Sequence, residues 1–269
     1  MHIVTRRSVP RKSRILVRIL ALGAHRTGLL AAARARGLFV IAVDPDPGAP
    51  GFRLAQRRAL VPLDDEPALE RLAEAGHVDG VLGTGPAAAV AARIADRLGL
   101  FHPLSPETAV LVSSKLRRRE RFRDARIPQT RWAVVTGSAE PGFPHVLGPP
   151  DRKGRRVAEE ASGAAEVTVT ALSRAGEFRP LLGAGPAAAL AERAARALGI
   201  EDGLSSTRLR LGVDGPRVAE LRTDVSDREA ELCRLLHGID VRGLALDAAL
   251  GRSPAPECVR FGAIDAQVA

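Results

Sequence analysis

The chain has 269 residues, 45% of them apolar and 26% charged, the balance of a globular protein with room for one large domain or two modest ones. No apolar run approaches the roughly 18 residues that span a bilayer, which argues against a membrane protein. The net charge of +9 invites a nucleic-acid surface, yet only Lys12, Lys115 and Lys153 are lysines and aromatics make up 3%, so arginine-rich coding bias accounts for the charge better than base-stacking platforms do.

The basic start, residues 1–14 (MHIVTRRSVPRKSR), lacks acids and an amphipathic period and is expected to be a tail. ILVRILAL, residues 15–22, predicts a strand that runs into the glycine turn GAHRTG. LLAAARARG follows as a helix stopped by Gly37, and LFVIAVD as a strand ending at Asp44. The turn is G-x-x-x-x-G and lacks the middle glycine of the dinucleotide fingerprint. Asp44 has the spacing of a ribose-binding acid, but a nicotinamide site is not expected on that ground alone. RRALVPL (strand), EPALERLAEAG (helix), VDGVLGTG (strand) and PAAAVAARIADRLGL (helix) complete an alternation that predicts a parallel, doubly wound, Rossmann-like sheet over residues 15–104.

From Ser105 the pattern changes to an α+β one. SPETAVLVSSKLRRRERFRDARIP reads as a helical pair ending at Pro128, and RWAVV as a strand. FPHVLG is an apolar strand entering the loop GPPDRKGRR, then come EVTVTALS as a strand and EFRPLL. PAAALAERAARALG predicts a helix, STRLRLGVDGPRVAELR a hairpin turning at Asp214-Gly215, and SDREAELCRLLHGIDV one final helix. The two cysteines, Cys233 and Cys258, supply no disulfide framework and fit a reducing, cytoplasmic setting. Cys233 sits beside apolar helix residues and reads as core, and the six histidines have no metal-ligand spacing.

Three runs in this order resemble the ATP-grasp superfamily, specifically its carboxylate–amine ligase and carbamoyl-phosphate-synthase-like branch. They are LALGAHRTGLLAAARARGLFVIAVDPDPGAPG, SSKLRRRERFRDARIPQTRWAVV, and RLRLGVDGPRVAELR followed by AELCRLLHGIDVRGLALDAALG. The resemblance implies a Rossmann-like domain, residues 15–104, followed by a shortened ATP-grasp region, residues 105–269. Joining a carboxylate to an amine with ATP passes through an acyl-phosphate, so the site needs cations on the phosphates and carboxylates on Mg²⁺.

Carried over residue by residue, Lys115 matches the first phosphate-contacting lysine. The strand lysine of the family's Val-Val-Lys-Pro is Gly148 here, and the loop after it supplies Lys153, Arg155 and Arg156 instead. The hinge beside adenine and ribose resembles VAEEASG, which leaves Glu159 or Glu160 as its acid. In the metal hairpin Arg208 replaces the first carboxylate, Glu220 is kept, Arg222 replaces the asparagine and Asp224 the following arginine. Two fixed guanidinium charges in a cation site oppose Mg²⁺, and Glu220 facing Arg208 across the hairpin is the simpler expectation. Blocks of the family pattern are absent between loop and hinge and again before GAGPAAAL. The expectation is a protein that binds ATP with its Mg²⁺-dependent ligase chemistry impaired. The alternatives are a non-catalytic partner of an intact ligase, and an active ligase in which Lys153 replaces the strand lysine.

Overall fold

The computed structural model describes residues 16–253 apart from 152 and 162; the basic start, His2 and Cys258 lie outside the described residues. The first third is an alternating unit: β1 (Arg18–Leu22), α1 (Thr27–Ala35), β2 (Phe39–Val43), β3 (Arg57–Ala59), α2 (Glu66–Gly76), β4 (Gly80–Gly83) and α3 (Ala87–Arg97). The strands form one parallel sheet in the order β3-β2-β1-β4. The apolar run of β1 is buried on both faces, Ile19 and Ala21 toward one layer and Leu20 and Leu22 toward the other, as a central parallel strand must be. Gly23 adopts φ +90° directly after β1, and Asp44 at the end of β2 accepts the Ala24 N–H at 2.7 Å. The acid with ribose-like spacing therefore pins the glycine turn. RRALVPL yields only the three residues of β3, on the sheet edge, because its partner β2 ends at Val43 opposite Ala59.

The helical pair is α4 (Pro106–Ser113) and α5 (Lys115–Asp124), each started by a serine cap, Ser105 and Ser114. Three short strands follow, β5 (Trp132–Val135), β6 (His145–Leu147) and β7 (Arg156–Glu160), which form an antiparallel sheet in the order β5-β7-β6. VAEE is thus the central strand of this sheet. The larger antiparallel sheet contains β8 (Glu166–Arg174), β9 (Glu177–Leu182), β10 (Gly203–Gly212) and β11 (Gly215–Arg222) in the order β11-β10-β8-β9. The two sheets are stitched at Val218 of β11, whose carbonyl accepts the Thr130 N–H at 3.0 Å and whose N–H bonds Pro128 O at 2.9 Å.

One face of the larger sheet is covered by α6 (Gly185–Leu198), whose alanines and leucines at helical spacing pack with Phe122 and Leu209. On the other face lie α7 (Asp227–His237) and α8 (Val241–Ala249). The sequence predicted one helix across this segment. Gly238 at φ +68° ends α7 and Asp240 caps α8 afresh. This break turns α8 back so that Leu246 and Ala249 join the core beneath β1 and β2. No described helix is long and apolar enough to cross a membrane.

Between β10 and α6 the core holds two hydroxyls. Ser205 and Thr207 are 0% and 1% exposed, and their oxygens have no hydrogen-bond partner among the described residues. A buried donor without a partner keeps its full desolvation cost. Thr207→Val preserves the shape and removes the polar group, and it should raise stability in urea unfolding by about 1 kcal/mol. A loss of stability would overturn the view that this hydroxyl is unpartnered.

Candidate functional site

Lys115 is the first residue of α5, and its ammonium lies 2.8 Å from Glu159 Oε2 on β7. Its stem also passes over Gly148, where an added Cβ would stand 3.5 Å from Lys115 Cδ and 3.7 Å from Nζ. The helix start, the end of the FPHVLG strand and the VAEE strand therefore meet at one point.

One turn along α5, Arg119 faces the same way. Its side chain is 2% exposed, and its guanidinium donates to Glu159 Oε1 at 2.8 Å, Thr130 Oγ1 at 3.1 Å, Val218 O at 3.1 Å and Ala219 O at 2.7 Å. Burial pushes the Glu159 carboxyl up, but the charges of Arg119 and Lys115 and their hydrogen bonds outweigh it and hold it below the usual carboxylate value. Glu160, the next residue, points to the opposite face, as strand alternation requires. Of the two acids left open by the sequence, only Glu159 joins Lys115.

The loop before β7 is folded around Asp151, which accepts the N–H groups of Lys153 and Arg155, each at 2.9 Å, and pairs with the Arg155 guanidinium at 2.8 Å. Lys153 and Arg156 are exposed and have no ion-pair partner among the described residues. In the hairpin, Arg208 and Glu220 are opposite each other in register and ion-paired at 3.3 Å. Arg222 reaches Glu229 of α7 at 3.2 Å. Burial pushes Glu229 up, but hydrogen bonds from Ser206 and Ser226 and the Arg222 charge hold it below its usual value. Asp224 pairs with Arg26, just before α1, at 2.7 Å.

That last pair borders a separate cavity of about 450 Å³, whose walls do not include Lys115, Gly148 or Glu159. It opens at the carboxyl ends of β1 and β4, where the strand order reverses, the crevice in which open α/β sheets bind ligands. Its apolar walls include Leu82, Leu204 and Val241, and Arg26 and Asp224 stand among its polar lining. Gly28 lies close under the Asp227–Arg242 ion pair, and a Cβ there would displace those two side chains. Burial also pushes His102, in the same wall, below its usual value, against the backbone contact at Leu104.

Three of these features escape a sequence reading. Arg119 is one of many arginines in KLRRRERFR, and only its i+4 spacing from Lys115 marks it. Glu229 reads as a helix-start acid in a capping box, which it also is. The Arg26–Asp224 pair joins residues with no local signal at all.

No family model and no curated protein matches the chain in sequence. Solved structures do match it in fold. The L-amino acid ligase from Bacillus licheniformis superposes with TM-score 0.74 at 20% identity, over 90% of this chain and 76% of that one. The phosphoribosylglycinamide synthetase from Anaerococcus prevotii gives 0.70 at 18%, over 88% and 76%. The N5-carboxyaminoimidazole synthetase from Staphylococcus aureus, complexed with ADP, gives 0.68 at 15%, over 89% and 78%.

Removing Arg119 would take a buried donor from the Ala219 and Val218 carbonyls and leave Glu159 to Lys115 alone, so Arg119→Ala should cost about 3 kcal/mol in urea unfolding. A carboxylate held below its usual value contributes stability that is complete above its unfolded-state value, near 4.5, and that is lost as the pH falls through its folded value. The stability of the native chain should therefore fall on acidification below that point, and Glu159→Gln should flatten the fall. An equal slope in both proteins would show that other carboxylates set the acid limit.

Proposed function

We propose that this chain, which carries the ATP-grasp fold, binds ATP or ADP between its small and large antiparallel sheets. The observation that carries this reading is the meeting of Lys115, Gly148 and Glu159, three separate elements brought to one cationic point at the mouth of a basic loop. In this reading Lys115 contacts the phosphates, and Lys153, Arg155 and Arg156 supply further positive charge from the loop. Glu159, and Glu160 through its backbone, belong to the strand beside the nucleoside. The neighbours in fold are ligases, one of them solved with ADP, which supports a nucleotide as ligand.

Ligation itself is assigned an impaired role. The carboxylate kept at Glu220 is engaged by Arg208, and Arg222 is engaged by Glu229, so the oxygens that a Mg²⁺-dependent phosphoryl transfer would use face guanidinium groups. The 450 Å³ cavity between Arg26, Asp224 and the ends of β1 and β4 is the place for an acceptor molecule. Its mostly apolar wall with a charged pair fits a compact amphipathic one. A second reading, a non-catalytic partner of an intact ligase, is favoured by Leu232, Leu235 and Leu236, which share one exposed face of α7 at 38%, 63% and 64% exposure.

Thermal unfolding with ATP separates the two. A ligand at about 100 times its Kd adds about 2.7 kcal/mol to the folded state, so ATP should raise the melting temperature. Lys115→Ala should weaken binding about tenfold or more, the scale of a lost hydrogen bond to a charged group. No shift at millimolar ATP would sink the nucleotide reading and leave the partner one.

A further inference from the structure

This inference rests on the nucleotide reading above and concerns what balances the charge of the phosphates. Mg²⁺ takes hard oxygen ligands in an octahedral array, usually carboxylates and phosphates with water. On the β8–β10–β11 face the carboxylates are already matched. Glu220 faces Arg208 at 3.3 Å, and Glu166 is held by Arg210 at 3.1 Å and approached by Arg208 at 3.8 Å. Glu229 is occupied by Ser206, Ser226 and Arg222. Arg118, buried beneath α5, adds a further guanidinium within electrostatic reach of Glu220. Among the described residues no group of three or more His, Cys, Asp or Glu could hold a metal ion. The residues present do not fit Mg²⁺.

They do fit an anion that arrives without one. A guanidinium keeps its charge at every accessible pH, and Arg208, with 47% of its side chain exposed, is anchored on a paired strand while its head remains within reach of a ligand. We infer that Arg208, supported by Arg222, takes over the charge-balancing work of the divalent cation, so that the site binds the metal-free nucleoside triphosphate in preference to its magnesium complex. Coulomb attraction and repulsion between neighbouring charges are strong at the effective dielectric of a protein surface, so a guanidinium beside the phosphates repels a bound Mg²⁺ and attracts a bare phosphate. Added Mg²⁺ then weakens binding, because it converts the ligand into the form that the site disfavours.

The test is calorimetric titration of the full chain with ATP, once with EDTA and once with Mg²⁺ in excess over ATP, at matched ionic strength. Affinity should be about tenfold or more higher with EDTA, the ratio that corresponds to about 1.4 kcal/mol. Arg208→Gln should abolish the preference by weakening the EDTA titration alone, while Arg208→Lys, which keeps the charge, should retain it; melting curves of the apo variants establish that each is folded. Equal or tighter binding with Mg²⁺ overturns the inference and leaves the nucleotide reading standing. A preference that survives Arg208→Gln also overturns it, since the general positive charge of the chain would then be the cause. Absence of ATP binding under both conditions overturns the inference and the nucleotide reading together.

Discussion

The guanidinium of Arg119 is a buried cation that the surrounding structure is arranged to satisfy. It enters the protein from the side of α5 and spends its donors on a carboxylate of β7, a hydroxyl before β5 and two consecutive carbonyls of β11. Those groups come from three parts of the chain that share no local sequence signal. A cation with 2% exposure is tolerated only if its charge and its donors are all met. Meeting them sets where the small sheet stands relative to the large one. The parallel bridge at Gln129–Val218 and the hydrogen bonds around it lie at the same junction, so the guanidinium and the backbone enforce one arrangement.

That arrangement positions the rest. With β7 held by Glu159, its neighbour β6 delivers Gly148 beneath Lys115, and the basic loop joins the two strands. On the facing sheet, strand alternation places Ser206, Arg208 and Arg210 on one side of β10 and Ser205, Thr207 and Leu209 on the other. The first set makes a charged face, the second enters the core beneath α6. At the far end of the same sheet, α7 and α8 cover apolar residues such as Leu172 and Leu204 and return the chain to the parallel sheet. The charged face is bounded on one side by the small sheet and on the other by these helices. Its Arg208 pairs are partly exposed and weakly committed in energy, since exposed pairs contribute about 1 kcal/mol or less.

Much of the architecture was legible because it depends on short-range periodicity. The buried strand β1, the glycine turn after it and the alanine-rich helices α3 and α6 are each written in consecutive residues. The hairpin of β10 and β11 turns at Val213-Asp214, one residue before the expected Asp214-Gly215, with Gly215 already paired to Gly212. The single helix expected from Ser226 onward failed for a local reason too: Gly238 followed by Asp240 is a stop and a new cap, and the apolar spacing on either side masked it. RRALVPL overstated β3 because an alternating pattern shows where a strand can form and not whether a neighbour exists to pair with it. Of the candidate residues, Lys115 and Glu159 were visible through their place in a resembled pattern, and the Arg208–Glu220 pair through hairpin register. Arg155 turned out to be engaged by Asp151 within its own loop.

The sequence by itself determined the alternation of strands and helices in the first third, the helical pair that follows and the arginines that stand at 208, 210 and 222 in the hairpin. These follow from residue type and spacing, which act over a few positions. Only the tertiary structure decided that Arg119 rather than any other arginine of KLRRRERFR would be buried, and that Glu159 rather than Glu160 would face Lys115. It likewise decided that Arg26 and Asp224 would close one side of a cavity at the ends of β1 and β4. Those outcomes depend on which charges meet across long stretches of chain once the sheets have packed. Desolvation makes each such meeting selective: a buried charge is stable only where its particular partners converge, and that convergence belongs to the fold and not to any segment of it.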